Sequence, residues 1–292
     1  MKSEIFRFVF FFFLLSLIVS FISQYRTQDK SYLNADVGFY EDSLPKENYI
    51  FSYFYFLRDL IFEGGGKTDA GENVYSHIAK RLLPTFHLAS FGVLFGAFFS
   101  MGLSILSLYY RSDPFRMILV SISNLILSTP VFVVGVLLLL VFFYQLELFP
   151  PGGYESFNTY YVVLPGVTLG SRVFARQTLY FIDEVWKEAS SSYVTLLKTR
   201  SYPWSHIVFK EIFLKVLPIS LVILVLDFGS LLSGAMVVEE IFFFPGIGKS
   251  LYYSIKSMDQ KLLSSLLLYT GVLFYVLNRI TLIAQKRLSG DS

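Results

Sequence analysis

A chain of 292 residues that is 54% apolar and only 16% charged, with 32 Phe and 20 Tyr, is not an ordinary soluble domain, which carries about 25% charge. Its formal net charge of +2 excludes nucleic acid or another polyanion as a partner, so the placement of basic residues informs more than their sum. Without Cys there are no disulfides, thiolate metal sites or cysteine nucleophiles, and His77, His87 and His206 lack ligand spacing and read as structural.

Lipid is the expected solvent, and the apolar runs predict an all-α integral membrane protein. Lys2 and Arg7 precede Phe8 to Ile22, and no small-x-small cleavage site follows before Gln24. A retained first span over about 5–23, with its N-terminus in the cytoplasm, is therefore expected rather than a signal peptide. Residues 24–83 turn polar and form an extracytoplasmic insert. Within it Tyr49 to Phe62 carries Arg58 and Asp59, so it reads as a short interfacial or docked helix, followed by a turn at Gly64, Gly65 and Gly66.

The second span covers 84–109, and Gly92, Gly96 and Gly102 are spaced to admit a close neighbour helix. The basic turn Arg111 to Arg116 belongs in the cytoplasm. A third span, 117–144, is expected to kink at Pro130, and the loop Leu148 to Tyr154, free of Lys and Arg, lies outside. The fourth span, 160–181, holds Arg172 and Arg176 one turn apart, and Arg176 is assigned to the cytoplasmic rim. Asp227 interrupts the fifth span, 216–238, and Arg172 is its expected intramembrane partner. After an outer return, the sixth span covers 262–284, and Lys286 and Arg287 keep the C-terminus inside. Six spans with both ends in the cytoplasm follow.

The stretch from Asp183 to Pro218 is polar and basic between apolar runs, and 182–215 forms a cytoplasmic loop. Ser192 is placed to cap a short helix that Pro203 stops. On it Tyr193, Leu196, Leu197 and Arg200 share a face, with Lys198 beside them, so the loop reads as a docking element. The Gly-Ile-Gly-Lys-Ser ending at Ser250 invites a phosphate-loop reading. It fails, because Phe243 stands where that pattern requires its first Gly.

Three stretches carry a resemblance: Ser128-Thr-Pro-Val-Phe-Val-Val-Gly135, Leu148-Phe-Pro-Pro-Gly-Gly-Tyr154, and Leu231-Leu-Ser-Gly-Ala-Met-Val-Val-Glu-Glu-Ile-Phe-Phe-Phe-Pro-Gly-Ile-Gly248. Together they resemble the permease subunits of the oligopeptide, dipeptide and nickel ABC importer family, from the second span nearly to the end. The resemblance implies the type I importer permease fold and a position in the bacterial inner membrane. It also implies one half of a path for peptides or a similar small solute, delivered by an extracytoplasmic binding protein. A second permease subunit and two cytosolic ATPase subunits are the implied partners. ATP would bind those subunits, so this chain holds no cofactor and is not an enzyme.

The family's coupling helix would fall on Tyr193, Leu196, Leu197, Lys198, Arg200 and Tyr202, and Ser201 stands where the family has Gly. Glu239, Pro245, Gly246 and Gly248 would form the outer loop. Two alternatives stay open from the residues themselves: an ion-coupled secondary transporter using Asp227 and the arginines, and a non-transporting membrane scaffold derived from a permease.

Overall fold

In lipid a backbone must close its own hydrogen bonds, and every regular element described in the computed structural model, which covers residues 2–27 and 49–288, is helical. The one extended pairing among them is an isolated bridge between Lys67 and Asn73. Residues 28–48 of the expected insert lie outside the described residues.

The helices are α1 (Lys2–Thr27), α2 (Tyr49–Phe62), α3 (Val74–Tyr109), α4 (Asp113–Ser128), α5 (Val131–Leu138), α6 (Val163–Ala189), α7 (Ser192–Thr199), α8 (Phe213–Gly234), α9 (Met236–Ile241), α10 (Ile247–Lys256) and α11 (Gln260–Leu288). Helical turns from Trp204 to Ile212 lead directly into α8. By length and composition Val74–Tyr109, Trp204–Leu232 and Gln260–Ile280 can each cross a bilayer.

Asn73 starts α3 ten residues before the expected Pro84, its side chain accepting from the N–H groups of Tyr75 and Ser76. Pro84 is tolerated inside that helix. Where a kink is expected at Pro130, the structure breaks instead: Asp113–Ser128 and Val131–Gln145 meet at a bend of 104°. The cause is local. Proline drives the preceding residue out of helical space, and Thr129 is extended at φ −90 and ψ 133.

α6 runs along α3 through a seam of small residues. A Cβ on Gly170 would stand 2.7 Å from the Gly92 carbonyl oxygen, so only glycine permits this approach. Gly102, expected to serve the same purpose, would meet nothing within 4 Å. Around the seam lies the main core, including Leu88, Leu169, Val173, Leu224, Leu231, Phe242 and Phe244. A second core of Ile105, Leu108, Phe181, Val185, Val194, Ile207 and Val208 sits at the other end of α3 and α6.

α1 lies antiparallel to α11: the Phe11 ring stacks on Tyr275, a Cβ on Gly271 would touch Leu15, and Val19 packs with Leu268. α2 docks on α1, with the Tyr53 hydroxyl and Ser16 Oγ 2.8 Å apart.

Candidate functional site

At the end of the molecule away from the main core, α7 crosses the ends of α3, α6 and α8 as an elbow. Val194 is fully buried in the second core and fixes it there, with Tyr193 and Leu197 packed alongside. The four residues expected on one outward face are thus divided. Tyr193 and Leu197 turn toward the protein, while Leu196 is 52% exposed and Lys198 and Arg200 face solvent. Lys215 Nζ lies 4.3 Å from the Tyr193 ring centre, and burial, followed by the charge of Glu188, pushes the Tyr193 hydroxyl up to about 12.

Ser192 does not cap the helix. The N-cap is Ser191, whose hydroxyl donates instead to the Glu188 carbonyl at 2.7 Å. At the other end the chain turns with Ser201 at φ 62: its N–H donates to Lys198 O at 3.0 Å and that of Tyr202 to Leu197 O at 3.2 Å. These two bonds form a Schellman ending, which places the serine in the left-handed conformation that glycine adopts without strain.

Two tryptophans tie the elbow to the Arg111–Arg116 turn. Trp204 donates from Nε1 to the Tyr109 carbonyl at 2.9 Å, and its ring lies 4.2 Å from the Arg111 guanidinium and 5.0 Å from Lys198 Nζ. Trp186 donates to Ser107 Oγ at 3.2 Å, and Arg116 lies over its ring while also reaching Asp183 at 3.2 Å. The two expected cytoplasmic loops therefore meet at one end of the bundle, and Tyr202 stands exposed beside them.

At the opposite end the residues expected to form the outer loop make a closed latch. Glu239 is fully buried, and its carboxylate accepts from Thr85 Oγ1 at 3.0 Å and from the Lys249 N–H at 2.8 Å. Thr85 Oγ1 in turn accepts from the Ile247 N–H at 2.8 Å. The N-terminus of α10 is occupied by the chain's own Glu239 side chain. No phosphate loop forms there. A Cβ on Gly246 would stand 2.1 Å from the Glu239 carboxylate carbon, which explains the Pro245-Gly246 pair.

The Leu148–Tyr154 stretch seals this latch. Gly153 N–H donates to Phe242 O at 3.0 Å, and the Tyr154 ring packs 5.1 Å from Phe244. A Cβ on Gly152 would overlap that same carbonyl oxygen at 1.8 Å. Two motifs separated by about eighty residues of sequence are thus one structural unit. Beside it a cavity of about 230 Å³ is lined by His77, Arg81, Pro245, Gly246 and Lys249 among others.

Between the two ends, the polar pairing differs from expectation. Asp227, 2% exposed, is bound by Arg176 rather than Arg172. Arg172 reaches the broken span, donating from Nη1 to the carbonyls of Leu127 at 2.8 Å and of Ile126 and Thr129 at 3.3 Å each. A helix that stops abruptly leaves its last carbonyls short of partners, and one guanidinium reaches three of them, of which Ile126 O also accepts from the Thr129 N–H at 3.3 Å. Arg176 occupies the middle of α6, which continues past the expected span as far as Ala189. No sequence signal separated the two arginines, which lie on one face one turn apart. Among the described residues no three His, Cys, Asp or Glu side chains gather to hold a metal ion.

A helical bundle with an exposed elbow at one end and a sealed return at the other defines a class of membrane transport component. Residues 82–290 match the family of binding-protein-dependent transport system inner membrane components, and the chain belongs to it. It is thus a permease component of an ABC importer, a multi-pass membrane protein. Among its relatives is the glutathione transport system permease protein GsiC of Escherichia coli, 27% identical over 209 residues, or 71% of this chain and 67% of the relative. The protein of that name from Pectobacterium atrosepticum is 27% identical over 231 residues, covering 77% of this chain and 74% of the relative.

Proposed function

We propose that this chain crosses the bacterial inner membrane six times, with both termini in the cytoplasm, and forms half of an ATP-driven import path for small peptides or similar solutes. A second permease completes the path, two cytosolic ATPase subunits drive it, and an extracytoplasmic binding protein delivers the cargo. The printed name of the relatives, glutathione transport system permease protein, supports a small peptide as cargo. The clustering of Arg111, Arg116, Lys187, Lys198, Arg200, Lys210 and Lys215 at the elbow end supports a cytoplasmic elbow.

One observation carries the reading: α7 is fixed to the bundle by fully buried Val194 yet leaves Leu196 52% exposed, and Tyr202, in the turn that follows it, is 44% exposed. A rigid element with apolar knobs in water is suited to the cleft of a motor subunit. ATP binding and hydrolysis in that subunit would move α7, and the spans packed behind it would rock between outward and inward access.

The test is Leu196→Asp. Co-purification of the ATPase subunit and ATP-dependent uptake in proteoliposomes are both expected to fall at least tenfold, since the variant places a charge in a subunit contact at a cost of about 2 kcal/mol or more. Unchanged uptake and co-purification would remove α7 as the coupling element. Leu197 is unsuited to this test, because it packs into the second core and a charge there would disturb folding.

A further inference from the structure

α6 is largely enclosed, and between Val163 and Ile182 Arg176 is its one exposed side chain. Arg176 lies thirteen residues from Val163 and thirteen from Ala189, the midpoint of a helix of 27 residues. At a rise of about 1.5 Å per residue it is about 20 Å from either end. Its guanidinium is bound to the buried Asp227 carboxylate on α8, yet its side chain stays 54% exposed. Its neighbour Arg172 is committed to the broken span.

We infer that Arg176 lines the import path and binds the carboxylate of a small anionic solute, with Asp227 as its positioning residue. This rests on the permease reading above. Three physical points lead to it. A permanent charge on a membrane helix is expensive in lipid, so the opening at Arg176 faces water or protein. Asp227 engages the guanidinium from the buried side through Nη1, and a guanidinium has five donors in a fixed fork that matches a carboxylate. Asp227 holds the guanidinium from one side only, and the 54% of the Arg176 side chain left exposed presents N–H donors and no acceptor, so an anion is the complementary occupant. Asp227 alone would be a buried charge; held by Arg176, it fixes the direction in which the remaining donors point.

Two measurements test this. In proteoliposomes containing the full transporter, uptake of a tripeptide with a free C-terminal carboxylate is expected to exceed that of its C-terminal amide by about tenfold. In the double variant Arg176→Gln, Asp227→Asn, which removes both charges together, the preference falls to about twofold or less. Separately, the detergent-solubilised chain is melted with each tripeptide at millimolar concentration, an experiment that needs no ATPase. The free acid is expected to raise the melting temperature of the natural chain and not of the double variant.

Equal handling of acid and amide by the natural chain, or a preference that survives in the double variant, overturns the assignment. So does a double variant that dissociates from the paired permease on size exclusion, which would assign Arg176 to the subunit contact. Absence of ATP-dependent uptake in the natural transporter, with acid-selective thermal protection retained, would count against the import reading and leave the Arg176 site standing.

Discussion

The two ends of the bundle solve opposite problems with similar parts. At the latch end, the buried Glu239 carboxyl group, the Thr85 hydroxyl and the first turn of α10 satisfy one another, and Gly153 and Tyr154 close over them. At the elbow end, polar and cationic groups stay near the surface, stacked on Trp186 and Trp204, while Leu196 and Tyr202 remain uncovered. A region in which a buried carboxyl group, a hydroxyl and backbone N–H groups pair with one another is built to hold a shape. One that keeps charge and apolar area exposed is built to meet another surface.

The contrast breaks first at Glu239. Glu239→Ala should remove about 3 kcal/mol, because it strands the Lys249 N–H and the Thr85 hydroxyl in a buried site. A thermal melt in detergent reads this, and a loss below about 0.5 kcal/mol would show the latch to be dispensable. Gly170→Val tests the seam behind it. The added side chain must displace the Gly92 carbonyl, so a loss of about 2 kcal/mol is expected in the same melt.

At the elbow, Leu196→Asp should leave stability within about 0.5 kcal/mol while abolishing ATPase binding, the reverse of the latch-end pattern. Ser201→Gly should stabilise the chain by about 1 kcal/mol by relieving a left-handed serine. The smallest effect concerns the entry to α3. Lys80, and then His77, hold the Glu72 carboxyl down from 4.5 to about 2. With the folded value depressed, its stabilisation is complete above pH 4.5 and is lost as pH falls toward 2. Glu72→Gln should flatten the dependence of the melting temperature on pH across that window.

Much of this arrangement was legible as periodicity and punctuation. Apolar runs pointed to the helices, and Gly92 and Gly96 to a close neighbour, because small residues at helical spacing have few other uses in lipid; that α6 is this neighbour, through Gly166 and Gly170, was not legible. What the residues concealed was direction. Tyr193, Leu196 and Leu197 share a helical face in projection, but the neighbouring ends of α3 and α8 decide which of them is covered, and no local pattern encodes that. The same holds for Arg172 and Arg176, whose long side chains reach opposite partners from adjacent turns. The 104° break exceeded the expected kink because Thr129 takes an extended conformation and a distant guanidinium stabilises the carbonyls so released.

That guanidinium has a mechanical consequence. With its freed carbonyls held by α6 instead of by the next turn of its own helix, the corner between α4 and α5 is fixed to α6 as a crank is fixed to a shaft. If the elbow turns α6 as proposed, the corner would be carried with it, and movement delivered at one end of the helix would arrive at the other through a stiff arm instead of a relay of repacking side chains.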